Sequence, residues 1–431
     1  MLLILSITLI IVLLLAGVAV PMAFGGVLLL ISIMGDHNIA GFIGTGHWKM
    51  NTLIILVIPL FIVAGDLMQK GKIAGPIVAI AELILGGIKG GLSGACVVAS
   101  AMFGAISGSG AATLTCIGSI MMPHLRKNKY PEGFSAALLV SSSPLGLLIP
   151  PSGTQLVYAW LTQQSVLKCF LAALSAGLIL ALFLLIVNFV MLRNVKNIEL
   201  KTFDGSFVSE FGKTTFNAVP AILMPLIILG GIYGGIMTPT EAAGVAAIYA
   251  IPVGFWVYKG LTIKVFWETL KESSVTIGVV MVMIFMVLIV SKFLIFEGVP
   301  RIAQEFIFSV SENPIVVLLM INVTMIIIGM LMDDFSGLVL CASLLTPIAV
   351  SVGMDPIHFA AVLGVNLGMG NITPPTAPLL YLGARVTGVS VQKMMKPTII
   401  MILFAWLPTL LLVTFIPQIA LFLPELFYGA R

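Results

Sequence analysis

The tetrapeptide Ile149-Pro150-Pro151-Ser152 follows an apolar stretch, and Thr373-Pro374-Pro375-Thr376 occupies the same kind of position 224 residues later. Two adjacent prolines do not continue a helix, because the ring removes an N–H donor and clashes with the preceding turn. Each tetrapeptide therefore predicts a helix that is interrupted, over residues 143–154 in the first case and 368–378 in the second.

The two tetrapeptides belong to an internal repeat. Pro123 and Gly146 are matched by Pro347 and Gly370, again 224 residues later. Two further blocks match at an offset of 225, residues 131–136 with 356–361 and residues 165–168 with 390–393. Chance does not supply five such matches in near register, so we interpret the chain as two copies of one unit.

The composition places this repeated unit in a membrane. Hydrophobic residues make up 60% of the 431 positions, and only 9% are charged, whereas a soluble domain has about 25% charged residues. Five stretches carry no formal charge, namely residues 2–35, 51–65, 169–192, 214–240 and 273–291. Because a span needs roughly 20 apolar residues, we predict an all-α polytopic membrane protein with about ten to twelve transmembrane helices.

Each copy also predicts a re-entrant hairpin before its broken helix. A Gly-rich segment at 104–110 opens a short apolar stretch that ends at Pro123, and residues 329–337 open a similar one that ends at Pro347. Such stretches are too short to span a bilayer.

The predicted organisation is N-terminal scaffold helices (1–50), a first repeat (51–192, hairpin 92–130, broken helix 133–165), a cytoplasmic loop with connecting scaffold helices (193–272), and a second repeat (273–431, hairpin 316–350, broken helix 357–390, then a C-terminal helix).

The orientation follows from charge and from the number of passes. Residues 193–213 are placed in the cytoplasm by the positive-inside bias, because they carry Arg193, Lys196, Lys201 and Lys213. We expect inverted repeats if the number of crossings between them is odd, and residues 169–290 suggest three or four. The apolar N-terminus is interpreted as a retained first helix, because it lacks the positive start of a secretory signal.

Paired breaks in two halves indicate a transporter's binding site, because unwound backbone is tolerated in a bilayer only where it is packed in protein or lines a cavity. Its carbonyls can then hold a cation, and we expect Na⁺. The first predicted sodium site is Gly104, Ser107, Gly146, Ile149 and Pro150, and the second is Gly329, Gly370, Thr373 and Thr376. The alternative for each hydroxyl is a bond to a carbonyl one turn back.

Ionisable residues at membrane depth are candidates for the substrate contacts. Asp333 and Asp334 lie at the second hairpin, and Arg385 follows the second break by about three turns. Arg385 either binds a substrate carboxylate in bidentate fashion or pairs with one of these aspartates. Three polar residues at the breaks complete the predicted substrate contacts: Ser109, Ser152 and Asn371. Asp66 is predicted to be interfacial, with a role in the site as the alternative.

Other functional classes find no support in the sequence. Thr238 and Glu241 predict a capping box at the start of a helix, and no catalytic role is assigned to Glu241. The chain lacks a nucleotide-binding loop with its lysine and a nucleophile–base pattern, so we predict no enzyme. The four cysteines and four histidines have no ligand spacing, so no metal other than Na⁺ and no cofactor is expected. A net charge of +4 does not indicate nucleic-acid binding.

Three blocks resemble one known family. Gly231-Ile-Tyr-Gly-Gly-Ile-Met-Thr-Pro-Thr-Glu-Ala-Ala-Gly244, the segment 103–113 and Leu148-Ile-Pro-Pro-Ser-Gly153 are similar to signatures of the large membrane subunit of tripartite ATP-independent periplasmic (TRAP) transporters. The resemblance implies an elevator-type transporter in the inner membrane, with a scaffold, a mobile domain, two hairpins and Na⁺ bound at the breaks. It also implies a small four-helix membrane partner, which we expect to be a separate polypeptide, and a periplasmic substrate-binding protein.

The predicted function is therefore Na⁺-coupled import of a small organic acid, such as a C4-dicarboxylate, a sialic acid or a keto or sugar acid. One alternative is a stand-alone anion:Na⁺ symporter that needs no binding protein. A second alternative, from a different class, is an ion channel.

Overall fold

The computed structural model describes residues 2–34, 39–195, 198–199 and 207–429. Within these ranges every regular element is a helix, as predicted for an all-α protein. Lys196 and Lys201, two of the cations in the predicted cytoplasmic loop, lie outside the described residues.

Five helices precede the first hairpin: α1 (Leu2–Leu15), α2 (Val20–Met34), α3 (Ile39–Met50), α4 (Val57–Lys70) and α5 (Ala74–Leu85). The uncharged N-terminal stretch is thus two helices, with α1 packed on α2. The chain turns at Gly17, where a φ of 79° favours glycine.

The first repeat forms a hairpin, a broken helix and a long helix. Its elements are α6 (Gly91–Ser107), α7 (Gly110–Lys127), α8 (Glu132–Ser142), α9 (Leu145–Leu148), α10 (Gly153–Thr162) and α11 (Val166–Leu192). The break between α8 and α10 lies inside the predicted interval and contains a cis peptide bond between Pro150 and Pro151.

Four helices connect the repeats: α12 (Phe207–Tyr233), α13 (Pro239–Pro252, extended by a π-helical turn over Val253–Val257), α14 (Ile263–Phe296) and α15 (Val299–Val310). The predicted capping box opens α13. The Glu241 carboxylate accepts from the Thr238 N–H at 2.7 Å, and the Thr238 hydroxyl accepts from the Glu241 N–H at 3.3 Å.

The second repeat follows the same order of elements. These are α16 (Pro314–Leu331), α17 (Asp334–Ser351), α18 (Pro356–Gly370), α19 (Pro378–Thr387), α20 (Val391–Met401), a π-helical turn (Ile402–Trp406), α21 (Leu407–Phe415) and α22 (Pro417–Tyr428). The break between α18 and α19 again contains a cis peptide bond, between Pro374 and Pro375.

Neither hairpin arm ends at its proline. Pro123 lies inside α7 and Pro347 inside α17, so the predicted ends of the two apolar stretches are wrong. The helices continue because the residues beyond each proline are buried: Leu125 is fully buried in α7, as are Ile348 and Ala349 in α17. Their burial outweighs the single backbone hydrogen bond that each proline removes.

The helix lengths agree with a multi-pass membrane protein. By length and composition, eight of the described helices can cross a bilayer, and the bent pair of Glu132–Leu148 with Gly153–Thr162 makes nine. The eight include α16 and α17, the two arms of the second hairpin, so the expectation that this stretch is too short to span a bilayer is wrong. Five shorter apolar helices accompany them among the described residues.

The count of crossings between the hairpins indicates inverted repeats. The described residues between 169 and 290 fall on four helices, α11 to α14. The broken helix of the first repeat lies between the first hairpin and α11, and it adds a fifth crossing. Taken as one crossing each, these five place the second hairpin on the side opposite to the first.

Elements of each repeat pack against elements of the other repeat. The second half of each broken helix contacts the other repeat's hairpin, so α10 lies on α17 and α19 lies on α7. The first half of each broken helix contacts the long helix of the other repeat, α18 against α11 and α8 against α20. This reciprocity is what an approximate two-fold relation produces, and it joins the repeats into one unit.

A second hydrophobic core lies between that unit and three other helices, and it includes Ile106 and Leu156 of the first repeat. Its buried residues come mainly from α4, α12 and α13, and they include Phe61, Met224 and Ala246. The repeats have their own larger core, which also takes residues from α1 to α3 and from α14. We call α4, α12 and α13 the scaffold helices.

Candidate functional site

The tip of the first hairpin is a turn closed by hydroxyl groups. Gly108 ends α6 with a φ of 60°, and Ser109 is the N-cap of α7. The Ser107 and Thr113 hydroxyls are 3.0 Å apart, and Thr113 Oγ1 donates to the Ser109 carbonyl at 2.8 Å. Thr113 was not predicted, although its spacing of four residues from an N-cap serine is a usable signal.

Three residues of the first predicted sodium site meet beside this tip. A Cβ atom on Gly104 would lie 2.6 Å from Gly146 Cα, so the backbones of α6 and α9 are in direct contact. A Cβ atom on Gly146 would lie 3.0 Å from both the Ser109 carbonyl oxygen and Thr113 Oγ1. Gly104, Ser107 and Gly146 are thus brought together, and only glycine allows the approach.

The remaining residues of the first break lie between α9 and α10. Ile149 and Pro150 are part of this non-helical segment. Ser152, predicted to bind substrate, is fully buried and donates to the Leu147 carbonyl at 2.7 Å, with the Thr154 hydroxyl 2.9 Å away. Its hydroxyl closes the end of α9.

The second hairpin has carboxylates where the first has serines. Asp333 is the N-cap of α17, and its Oδ2 accepts from the N–H groups of Phe335 and Ser336 at 2.9 and 3.3 Å. Asp334 accepts a hydrogen bond from the Asn371 side-chain amide across the break. The hairpin tip is therefore attached to the end of α18.

The second break repeats the glycine contact. A Cβ atom on Gly370 would lie 2.8 Å from the Cα and carbonyl carbon of Gly329, so α16 and α18 meet as α6 and α9 do. Thr373 Oγ1 donates to the Met369 carbonyl at 2.6 Å. The Thr373 hydroxyl therefore forms the hydrogen bond to a carbonyl one turn back, which was the predicted alternative to binding Na⁺.

The second site contains oxygen atoms without a partner. Asn371 Oδ1 and Thr376 Oγ1 are buried, and no described residue forms a hydrogen bond with either atom. Buried polar atoms are normally paired, so these two oxygens need an explanation. Oxygen ligands suit a hard cation such as Na⁺. Asp333 and Asn371, predicted as substrate contacts, thus share the second break with Thr376.

Arg385 does not contact the aspartates of the second hairpin. It lies in the last turn of α19 and is exposed, and no ion pair joins it to Asp333 or Asp334 among the described residues. Structural pairing with an aspartate, one of its two predicted roles, is therefore wrong. Its contact with a substrate carboxylate stays a prediction.

A cavity of about 360 Å³ lies between the first hairpin and α4. Ser107, Ser109 and Thr115 line it on the hairpin side, and Asp66 and Gln69 line it on the α4 side. Asp66, predicted to be interfacial, therefore faces a cavity next to the first break. The sequence alone gave no indication that α4 lies against the hairpin.

Comparison with known proteins assigns these features to a family. The family model described as "Tripartite ATP-independent periplasmic transporter, DctM component" matches residues 1–419. The C4-dicarboxylate TRAP transporter large permease protein DctM of Pseudomonas aeruginosa is 34% identical, over 86% of this chain and 86% of that protein. The sialic acid TRAP transporter large permease protein SiaM of Vibrio cholerae is 32% identical, over 88% of each.

One further relative is longer than this chain, and one solved structure shares its fold but little of its sequence. The isethionate TRAP transporter permease protein DctMQ of Oleidesulfovibrio alaskensis is 33% identical over 94% of this chain, which spans only 64% of that protein. The crystal structure of the YdaH transporter of Alcanivorax borkumensis has a TM-score of 0.56 over 87% of this chain and 86% of that chain. At 13% identity it shows a shared fold alone.

The match over nearly the whole chain and the paired hairpins and broken helices lead to one assignment. The chain belongs to the DctM component family of tripartite ATP-independent periplasmic transporters, and it is a multi-pass protein of the bacterial inner membrane.

Proposed function

We propose that this chain is the substrate-translocating subunit of a Na⁺-coupled secondary transporter that imports small organic acids by alternating access. One observation carries the proposal. Twice in one chain, a hairpin tip meets a broken helix through a glycine–glycine contact, at Gly104–Gly146 and at Gly329–Gly370. Such paired discontinuities are where secondary transporters bind their ions and substrates.

Na⁺ coupling is supported by the oxygen atoms at the two breaks. At the second break, Asn371 and Thr376 each have a buried oxygen without a hydrogen-bond partner among the described residues. At the first break the Ser107 and Thr113 hydroxyls are paired with each other. Each hydroxyl oxygen has two lone pairs, so both can still accept a cation. The downhill movement of Na⁺ would supply the free energy for uptake.

An elevator movement is supported by the division into two cores. The scaffold helices α4, α12 and α13 supply most of one core, whereas the cross-packed repeats supply most of the other. Because each repeat holds an element of the other, the repeats move as one unit or not at all. The cavity next to Asp66 lies at the boundary between this unit and α4.

Substrate and partners are inferred from the family. The named relatives from P. aeruginosa and V. cholerae transport C4-dicarboxylates and sialic acid, both organic acids. A tripartite transporter has two components besides this one. We therefore propose a small four-helix membrane subunit and a periplasmic substrate-binding protein as partners.

Reconstitution tests the function directly. The chain and its small membrane subunit are placed in liposomes, and uptake of a labelled organic acid is measured after the binding protein has been screened for its ligand. We expect saturable uptake that needs both an inward Na⁺ gradient and the binding protein. Uptake without the binding protein would instead indicate a stand-alone symporter, and a non-saturating current would indicate a channel.

A further inference from the structure

The cavity between α4 and the first hairpin has two chemically different walls. The hairpin wall presents the neutral hydroxyls of Ser107, Ser109 and Thr115. The α4 wall presents the carboxylate of Asp66 and the amide of Gln69. No lysine, arginine or histidine lines the cavity among the described residues. A transporter of organic acids thus places an acidic side chain beside the space its cargo can enter.

Asp66 has hydrogen-bonding capacity left over for a ligand. The Ser273 hydroxyl of α14 donates to Asp66 Oδ2 at 2.6 Å, which leaves Oδ1 without an assigned donor. The nearest cation along α4, Lys70, makes its own ion pair with Glu272 at 3.0 Å. The carboxylate is therefore held in place by α14, with a polar amide, Gln69, beside it on the same wall.

The cavity is of a size that suits a small solute. At about 360 Å³ it falls within the range of ligand pockets, roughly 300–1,000 Å³. A ligand that spans it touches the hydroxyls of the hairpin at one end and Asp66 at the other. A carboxylate next to Asp66 would be repelled by the like charge, whereas a hydroxyl or ammonium group there would donate a hydrogen bond to it.

We propose that Asp66 determines substrate class: the cavity takes an organic acid whose carboxylate faces the first hairpin and whose hydroxyl or ammonium group binds Asp66 and Gln69. Dicarboxylates without such donors are rejected by Asp66. This inference rests on the proposed function and narrows it to hydroxylated or amino monocarboxylates. Asp66 acts here through contact with the substrate and takes no part in either sodium site.

Ligand binding to the purified complex of this chain with its small membrane subunit tests the proposal. The probes are three monocarboxylates with hydroxyl or amino groups (threonate, gluconate and N-acetylneuraminate) and two dicarboxylates (succinate and adipate). Binding is measured in NaCl as the increase in melting temperature with probe concentration. We expect the tightest monocarboxylate to bind at least about tenfold more tightly than either dicarboxylate, which corresponds to the repulsion of one nearby charge.

Variants then assign the discrimination to Asp66. Asp66→Asn keeps an acceptor for Ser273 and should reduce the tenfold preference to about twofold or less, while Asp66→Glu should retain it. Glu268→Gln is the matched control, because it removes one negative charge from α14, pairs among the described residues only with the exposed Lys264 and does not line the cavity. This control should leave the preference unchanged.

The possible failures are distinguishable. A dicarboxylate that binds the native complex most tightly, or an unchanged preference in a folded Asp66→Asn variant, overturns the inference and leaves Na⁺-coupled acid transport intact. Binding that is equal in NaCl and KCl counts against the proposed function. If no organic acid binds in NaCl, both the proposed function and the inference are wrong.

Discussion

At the scale of single residues, the two breaks differ in how their oxygens are occupied. In the first repeat the Ser107 and Thr113 hydroxyls bond to each other, and Ser109 caps α7. In the second repeat Asn371 Oδ1 and Thr376 Oγ1 are buried and have no partner among the described residues. The residue types were visible in the sequence, but their partners depend on how the hairpin and the break meet in space.

Replacing Thr376 with valine tests whether its orphaned hydroxyl is a sodium ligand. Valine keeps the shape of the side chain and removes one oxygen ligand. We expect the Na⁺ concentration for half-maximal uptake to rise about fivefold, which corresponds to about 1 kcal/mol for one lost polar contact. The measurement is the initial rate of uptake into proteoliposomes as external Na⁺ is varied.

A matched control for Thr376→Val is Thr398→Val in α20. The Thr398 hydroxyl is fully buried and donates to the Met394 carbonyl of its own helix at 2.9 Å, so it should not contribute to Na⁺ affinity. Equal Na⁺ dependence in Thr376→Val and the native protein would remove the Thr376 hydroxyl from the second site.

At the scale of helices, the glycine pairs set how closely each hairpin approaches its broken helix. Gly104 against Gly146 and Gly329 against Gly370 leave no room for a side chain. The sequence shows these glycines at the repeat offsets, so their equivalence could be predicted. It could not show that the two members of each pair touch, because 42 and 41 residues separate them along the chain.

Gly370→Ala should destabilise the protein. Its Cβ atom would lie 2.8 Å from the backbone of Gly329, and neither helix can yield without moving the hairpin. Overpacking of this kind costs about 1–3 kcal/mol. We expect a lower melting temperature in detergent and a reduced maximal rate of uptake.

Gly278→Ala in α14 is the control for the glycine contact. Nothing lies within 4 Å of a Cβ atom at Gly278, and alanine is the better helix former by about 0.5–1 kcal/mol. Its melting temperature should therefore be unchanged or higher. If Gly370→Ala behaves like Gly278→Ala, the close approach of α16 and α18 does not exist.

At the scale of the whole molecule, the scaffold helix α4 packs against both arms of the first hairpin, and Gly65 meets Ser107 there. A Cβ atom on Gly65 would lie 3.7 Å from Ser107 Cβ, an ordinary contact. A disulfide requires a Cβ–Cβ distance of about 3.5–4.5 Å. A cysteine pair at these two positions can therefore fix the repeats to the scaffold.

Oxidation of the double variant Gly65→Cys, Ser107→Cys should abolish uptake, and a reducing agent should restore it. The bond would prevent the hairpin from moving past α4, which an elevator movement requires. Uptake is measured at saturating Na⁺, so that weaker binding at Ser107 does not obscure the result.

Each single variant serves as the control for the cross-link. The four native cysteines are free and buried, so they should not form competing disulfides. Single variants should therefore respond little to oxidation. Full uptake by the oxidised, cross-linked protein would show that the repeats do not slide along α4.

The sequence by itself determined the helical class, the membrane as solvent, and the two interruptions at Pro150-Pro151 and Pro374-Pro375. These properties are local, because composition and proline chemistry act along the chain whatever the tertiary contacts are. Only the tertiary structure decided that α10 and α19 cross to the opposite repeat, that Asp66 faces the first hairpin, and which oxygens at the second break lack a partner. Those facts depend on contacts between residues far apart in the chain, and no spacing in the sequence specifies such contacts.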